Sequence, residues 1–330
     1  MPTSITDVPG IRVGQVQKIG DGWLTGVTVV LPPPGTVGAV DVRGGGPATH
    51  ETDALDPTTQ VPTVDAVVLA GGSAFGLVAA HGAQRWSEEQ GLGFRTQNAV
   101  VPIVPAAAIY DLGRGGDIKA RPDEQMGYDA AAAAGAMEDF GTVQRGNAGA
   151  GTGAAMGFQQ YKGGVGTASL RMGGANEGIV VGALAVANAA GKPFHGTRGA
   201  SPAAKAEEPL GTPGAAGGSG SQAAGPLNTT LCVVATNAVL DPAQAKRTAS
   251  AAHAGLARAV SPSHTLMDGD VVFALATGAQ QLVQDGPIDP RAELHVLAAE
   301  AVTAAIMDAV ASAERWEGSG VVLEKYPDPA

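Results

Sequence analysis

"GPLNTTLCVVATNA", residues 225–238, is where a stretch rich in Gly, Ala, Ser and Pro gives way to a continuous apolar run. From Thr229 onward the residues are mostly β-branched, small or apolar, with no polar alternation to supply a wet face. That pattern predicts a strand buried on both sides. Runs of the same kind recur in "GVTVVLP" (26–32), "AVDVRG" (39–44), "DAVVLAGG" (65–72), "GIVVGALAVAN" (178–188) and "DVVFALATG" (270–278). Helical segments are expected between and after them. Two open on an Asp-Pro pair, Asp241–Pro242 and Asp289–Pro290, which supplies an N-cap and a first-turn proline. Residues 75–91 and 123–141 read as two more, each closing at a glycine. Aromatics are only 4% of the chain, so the layers must close on Ala, Val and Leu at short range. The order predicts an α/β protein with helices covering both sides of a two-sheet core.

Composition narrows the function. The formal charge is −11 with no Lys/Arg block, so nucleic acid is not an expected partner. The run "IVVGALAVANAA" is too short to span a bilayer, and no membrane association is expected. Residues 1–10 show no secretory pattern, and the single Cys232 fits a reducing compartment, so a cytoplasmic location is expected. Cys232 itself reads as a small core residue.

Residues 195–227 carry almost no large apolar side chain and are expected to be flexible. A structureless segment inside a compact chain needs a reason, and the seam at Asn228–Thr229 offers one. If that bond is cut, Thr229 becomes a first residue bearing a hydroxyl and a free α-amine. The amine titrates at about 7.7–8.0 when unperturbed, so nucleophile and base sit on one residue. The same hydroxyl can make the cut by attacking the preceding carbonyl. Against this stands the plain propensity of Thr-Thr for a strand start. Thr230 is a rival nucleophile, but it belongs to the opposite face with Cys232 and Val234.

Other residues join the candidate site. Asp268 and Asp270 are two apart before a strand, a spacing that turns both carboxylates the same way, and they are expected to converge beside Thr229. Asn188 ends one buried run, and Tyr110 ends "IVPAAAIYDLG" (103–113); both can donate to an oxyanion. No histidine is expected near Thr229. "GAGTGA" (149–154) matches a dinucleotide fingerprint but lacks the preceding buried strand and the later acidic residue, so no such cofactor is expected. The serine elbow, the phosphate loop and the zinc-protease motif are missing.

"DVRGGGPATHETDALDP" (41–57), "DAVVLAGGSAFGL" (65–77), "PIVPAAAIYDLG" (102–113), "GNAGAGTGA" (146–154), "KGGVGTASL" (162–170), "NTTLCVVATNA" (228–238) and "HTLMDGD" (264–270) appear in order along the chain. Together they resemble the DmpA-type self-processing aminopeptidases. That group comprises L-aminopeptidase/D-esterases, β-peptidyl aminopeptidases and nylon-oligomer hydrolases. The resemblance runs from about residue 6 to residue 315. It implies a four-layer α/β/β/α sandwich related to the N-terminal-nucleophile hydrolases. It further implies one domain, 1–330, cut into an α chain (1–228) and a β chain (229–330). Thr229 takes the nucleophile position, Asn188 and Tyr110 the oxyanion side, and Asp268 and Asp270 the acidic positions. Some family members carry Ser and Glu there; Thr with Asp-x-Asp is closer to the nylon-oligomer branch, whose catalytic lysine corresponds to Lys162. The expected substrate is a small peptide or amide oligomer with a free amino end, with no metal or organic cofactor. Homotetramers of αβ units are expected. The alternatives are an acyltransferase of the glutamate N-acetyltransferase type and a non-catalytic ligand-binding homologue.

Overall fold

The computed structural model describes residues 3–193 and 228–327; the segment expected to be flexible, 195–227, lies outside them. Ten strands form two five-stranded sheets. In chain order they are β1 (Arg12–Gly20), β2 (Trp23–Leu31), β3 (Val37–Val42), β4 (Thr49–His50), β5 (Val67–Ala70), β6 (Ala106–Ala108), β7 (Gly164–Arg171), β8 (Val180–Asn188), β9 (Thr229–Ala238) and β10 (Val271–Gln280). One sheet runs β1-β2-β5-β6-β4 and the other β7-β8-β9-β10-β3. The helices are α1 (Ala79–Glu89), α2 (Glu124–Ala136), α3 (Pro242–Ala259) and α4 (Pro290–Ser312).

Alternation along the strands builds three apolar layers. In β5, Leu69 faces the other sheet, where Leu184, Val186, Leu231, Val233 and Phe273 meet it. Its neighbours Val68 and Ala70 face outward onto α1 and α2, among Ala83, Trp86, Met126 and Ala130. On the far side, Ala185, Cys232, Val234 and Val272 pack beneath α3 and α4. The fold is the expected four-layer α/β/β/α sandwich. Both Asp-Pro helix starts form as read, with Asp241 accepting from Gln244 N–H and Asp289 from Arg291 N–H. Helix α2 stops at Ala136, short of Gly141, because Met137 is already extended. Helix α4 is long and apolar enough to cross a membrane, yet Leu294, Ala298, Val302, Ala305 and Ile306 spend that apolarity on the sheet.

Small residues let the layers approach. A Cβ on Gly82 of α1 would collide with the carbonyl oxygen of Glu124, and one on Gly127 of α2 with that of Ala79. The two helices therefore interlock through reciprocal glycines. The glycines of 44–46 do similar work beside β10: Gly44 N–H reaches Asp270 O at 3.2 Å and Gly46 N–H reaches Asp268 O at 2.9 Å. A Cβ on Gly44 would strike Asp268 O.

Candidate active site

Strands β8 and β9 run antiparallel with Asn188 directly opposite Thr229. By the alternation of Leu231 and Val233, Thr229 faces the space between the sheets, and Asn188 shares that face with Leu184 and Val186. Thr230 faces the helix side with Cys232, as its parity required. Both Thr229 and Asn188 are buried. The Thr229 hydroxyl donates to the carbonyl oxygen of its own predecessor, Asn228, at 2.6 Å. That oxygen also accepts from Gly269 N–H at 2.8 Å, while Asn228 N–H donates to Met267 O at 3.0 Å.

The acidic pair stands beside the seam, one aspartate on each side of Gly269. Asp268 Oδ2 accepts from Thr265 N–H at 2.7 Å. Asp270 Oδ1 accepts from Thr230 N–H at 2.7 Å, and its Oδ2 meets both N–H and Nδ1 of His264 at 3.0 and 2.9 Å. Both carboxylates thus brace the backbone around Thr229, and the residue turned toward its hydroxyl is Gly269 between them. Period-two alternation accounts for this: if the two aspartates share one face, the residue between them takes the other. Burial, reinforced by the neighbouring Asp270 charge, pushes the Asp268 carboxyl up. The expectation that no histidine lies near is corrected. His264 sits on Asp270, and the His253 ring stands edge-on to it with centroids 4.8 Å apart. Burial lowers His253 to about 4, so it is neutral at pH 7.

Behind Asn188 lies a buried charge cluster. Arg114 Nη1 donates to Asn188 Oδ1 at 2.6 Å and to Gly153 O at 2.5 Å. Ala155 N–H donates to the same Asn188 oxygen at 3.0 Å. Two donors on one atom fix which end of the amide is oxygen, leaving Nδ2 as the end available to a reacting group. Lys162 is fully buried and donates to Gly151 O and Gly163 O at 2.8 and 2.7 Å. It pairs in register with Ala155, which places it next to the Asn188 contact. Burial, then the positive charge of Arg114, lower its ammonium to about 7. Arg114 is itself lowered to about 10 by burial, and burial pushes Asp111 up. Asp111 accepts from Gly72 N–H at 2.6 Å. Tyr110 is half-buried just after β6, within electrostatic range of Arg114.

Sequence reading overlooked Asp111, Arg114, Gly269 and His264. Their signals were present but weak: Arg114 is a lone cation in the glycine-rich "DLGRGGD" (111–117), and "GAGTGA" supplies carbonyls to both buried cations. Among the described residues, no group of three or more His, Cys, Asp or Glu stands close enough to hold a metal ion.

Comparison with known proteins gives this geometry a class. The profile of peptidase family S58 matches residues 3–322, nearly the whole chain. The protein belongs to peptidase family S58 and is accordingly a hydrolase of peptide or other amide bonds. It is 48% identical over 336 residues to an uncharacterized aminopeptidase of Mycobacterium tuberculosis, covering 94% of this chain and 92% of the relative. A 6-aminohexanoate-oligomer endohydrolase of an Agromyces strain is 29% identical over 321 residues, covering 94% and 83%. The fold matches the L-aminopeptidase D-Ala-esterase/amidase of Ochrobactrum anthropi with a TM-score of 0.73 at 22% identity, covering 99% of this chain and 92% of that one. That structure is described as a variant of the N-terminal-nucleophile hydrolase fold.

Proposed function

We propose that the chain is made as a precursor, cuts itself between Asn228 and Thr229, and then acts as an aminopeptidase or amidase on short linear amides with a free amino end. The observation that carries this reading is the Thr229 hydroxyl lying 2.6 Å from the carbonyl oxygen of the peptide it would attack, at the first residue of a buried strand. In turnover, Thr229 Oγ adds to the substrate carbonyl to give an acyl-enzyme, and water releases the acid. The freed α-amine takes the hydroxyl proton and returns it to the leaving amine. The Nδ2 of Asn188, with the Tyr110 hydroxyl, donates to the developing oxyanion. Lys162, with an ammonium lowered to about 7, offers a neutral amine near neutral pH. Substrates follow the relatives' names: peptides on one side, 6-aminohexanoate oligomers on the other.

The two chains stay joined, since β8 and β9 pair from Val181–Thr236 to Asn188–Thr229 and both are buried. By family likeness, αβ units assemble further into homotetramers in the cytoplasm; light scattering of the processed protein tests the assembly. The deciding experiment is a denaturing gel. Purified protein should give two bands of roughly 22 and 10 kDa, and the N-terminus of the smaller should read TTLCVV. Thr229→Ala should persist as one folded, inactive chain, while Thr229→Ser should still cut. Normal cleavage of Thr229→Ala at the same bond would mean that an outside protease makes the cut.

A further inference from the structure

We propose that the backbone N–H of Gly269 is the oxyanion donor of the cleavage that frees Thr229, and that position 269 is glycine because a side chain there would displace the nucleophile. The inference rests on the self-processing reading above and concerns how that step is catalysed. When Thr229 Oγ attacks, the Oγ–C bond forms and negative charge gathers on the Asn228 carbonyl oxygen. The C–N bond then breaks and the hydroxyl proton ends on the Thr229 nitrogen. The product is an ester between Asn228 and Thr229 Oγ beside a free α-amine. Water then resolves the ester to a carboxyl on Asn228 and a hydroxyl on Thr229.

The charge appears on an oxygen that Gly269 N–H already holds at 2.8 Å, within the range that oxyanion donors keep. This donor is fixed in advance. On its N-terminal side, Asp268 N–H donates to Thr265 O at 3.2 Å and Asp268 O accepts from Gly46 N–H at 2.9 Å. On its C-terminal side, Asp270 O accepts from the N–H groups of Arg43 and Gly44 at 3.0 and 3.2 Å. No loop has to reorganise when charge develops.

The identity of the residue follows from space and not from backbone freedom. Gly269 is outside the set of glycines with positive φ, so an L-residue could adopt its backbone conformation. A Cβ there, however, would stand 2.7 Å from Thr229 Oγ and 2.9 Å from Gly46 O. The first contact falls on the reacting atom, and the second lies against backbone that cannot yield.

The test replaces the amide linking Asp268 and Gly269 by an ester, with glycolic acid introduced at position 269 by suppression in cell-free translation. The change deletes one N–H and keeps the shape. Conversion of the single chain to two is followed on denaturing gels beside wild type and Gly269→Ala, with a urea melt on each. An ester chain that melts close to wild type should process about 10²–10³-fold more slowly, the usual cost of losing one oxyanion donor. Gly269→Ala should also stall as a folded precursor. Wild-type processing rates in the ester chain overturn the proposal while leaving self-processing intact. A wild-type chain that never cleaves overturns both.

Discussion

Arg114 fixes the side-chain amide of Asn188: its Nη1 stands 2.6 Å from Asn188 Oδ1, and both groups are buried. Arg114→Met removes that donor and leaves Ala155 N–H alone on Asn188 Oδ1, so the direction of Nδ2 is held less firmly. Turnover should fall about 10–100-fold, less than the ~10²–10³ of deleting an oxyanion donor outright. Because the Arg114 charge helps hold Lys162 down, its removal should also move the Lys162 titration to higher pH. A pH–rate profile of the processed variant checks this. A lower rate with an unmoved acid limb would assign Arg114 a packing role alone.

Lys162 should leave a mark on stability. Its folded value is about 7 against an ordinary 10.5. Between those values the unfolded chain holds a proton that the native chain has lost, so stability rises with pH across that window. The gain approaches about 1.4 kcal/mol per pH unit from this group alone. Below about 7 both states are protonated and the dependence vanishes. Urea melts at pH 7, 8 and 9 should show a slope in wild type that exceeds that of Lys162→Met by about this amount.

The two aspartates should separate under the same substitution. Among the described residues the Asp268 carboxyl bonds only Thr265, through its N–H and its hydroxyl, and the oxygen and amide of an asparagine can keep both contacts because a hydroxyl also accepts. Asp270 uses one oxygen for Thr230 and the other for His264. Asp270→Asn must leave one of these donors unpaired, at about 1–3 kcal/mol. Processing should slow in both variants, but only Asp270→Asn should shift its urea midpoint. Equal melts for the two would mean that Asp270 does not brace the loop.

Gly82→Ala sets two effects against each other. Alanine favours a helix over glycine by about 1 kcal/mol. The added Cβ meets the Glu124 carbonyl across the α1–α2 contact, and overpacking of that kind costs about 1–3 kcal/mol. Backbone cannot rotate away, so the second effect should win and lower the melting temperature. Stabilisation would show that the helices can part without loss.

The buried strands were legible because their apolar runs are continuous, and the Asp-Pro starts fixed α3 and α4. The sheet edges β1 and β7 were not read: "RVGQVQKIG" alternates with polar residues, and "GVGTASLR" is broken by glycine and ends at Arg171. In the site, Thr229 and Asn188 were visible as polar ends of apolar runs. Arg114 and His264 were not, since each reaches its partner across a turn or a sheet that local spacing does not encode. The acidic pair was legible from its spacing, but the turning of the glycine between its members toward Thr229 was not. That depended on which face Gly269 takes, and the register of β9 against β10 settles it.

The strand order β7-β8-β9-β10-β3 has one more consequence. After a cut before Thr229, β9 and β10 belong to the short chain, while β8 on one side and β3 on the other belong to the long one. The newcomer lies between two neighbours from the same partner. A nascent chain reaches this arrangement as a unimolecular event, because its own covalent thread carries β9 to β8. A melted enzyme has lost the thread, and its two pieces must meet by diffusion before either ladder can close. The assembly route is therefore open once per molecule, and the mature protein keeps a shape that it can regain only at a rate set by concentration.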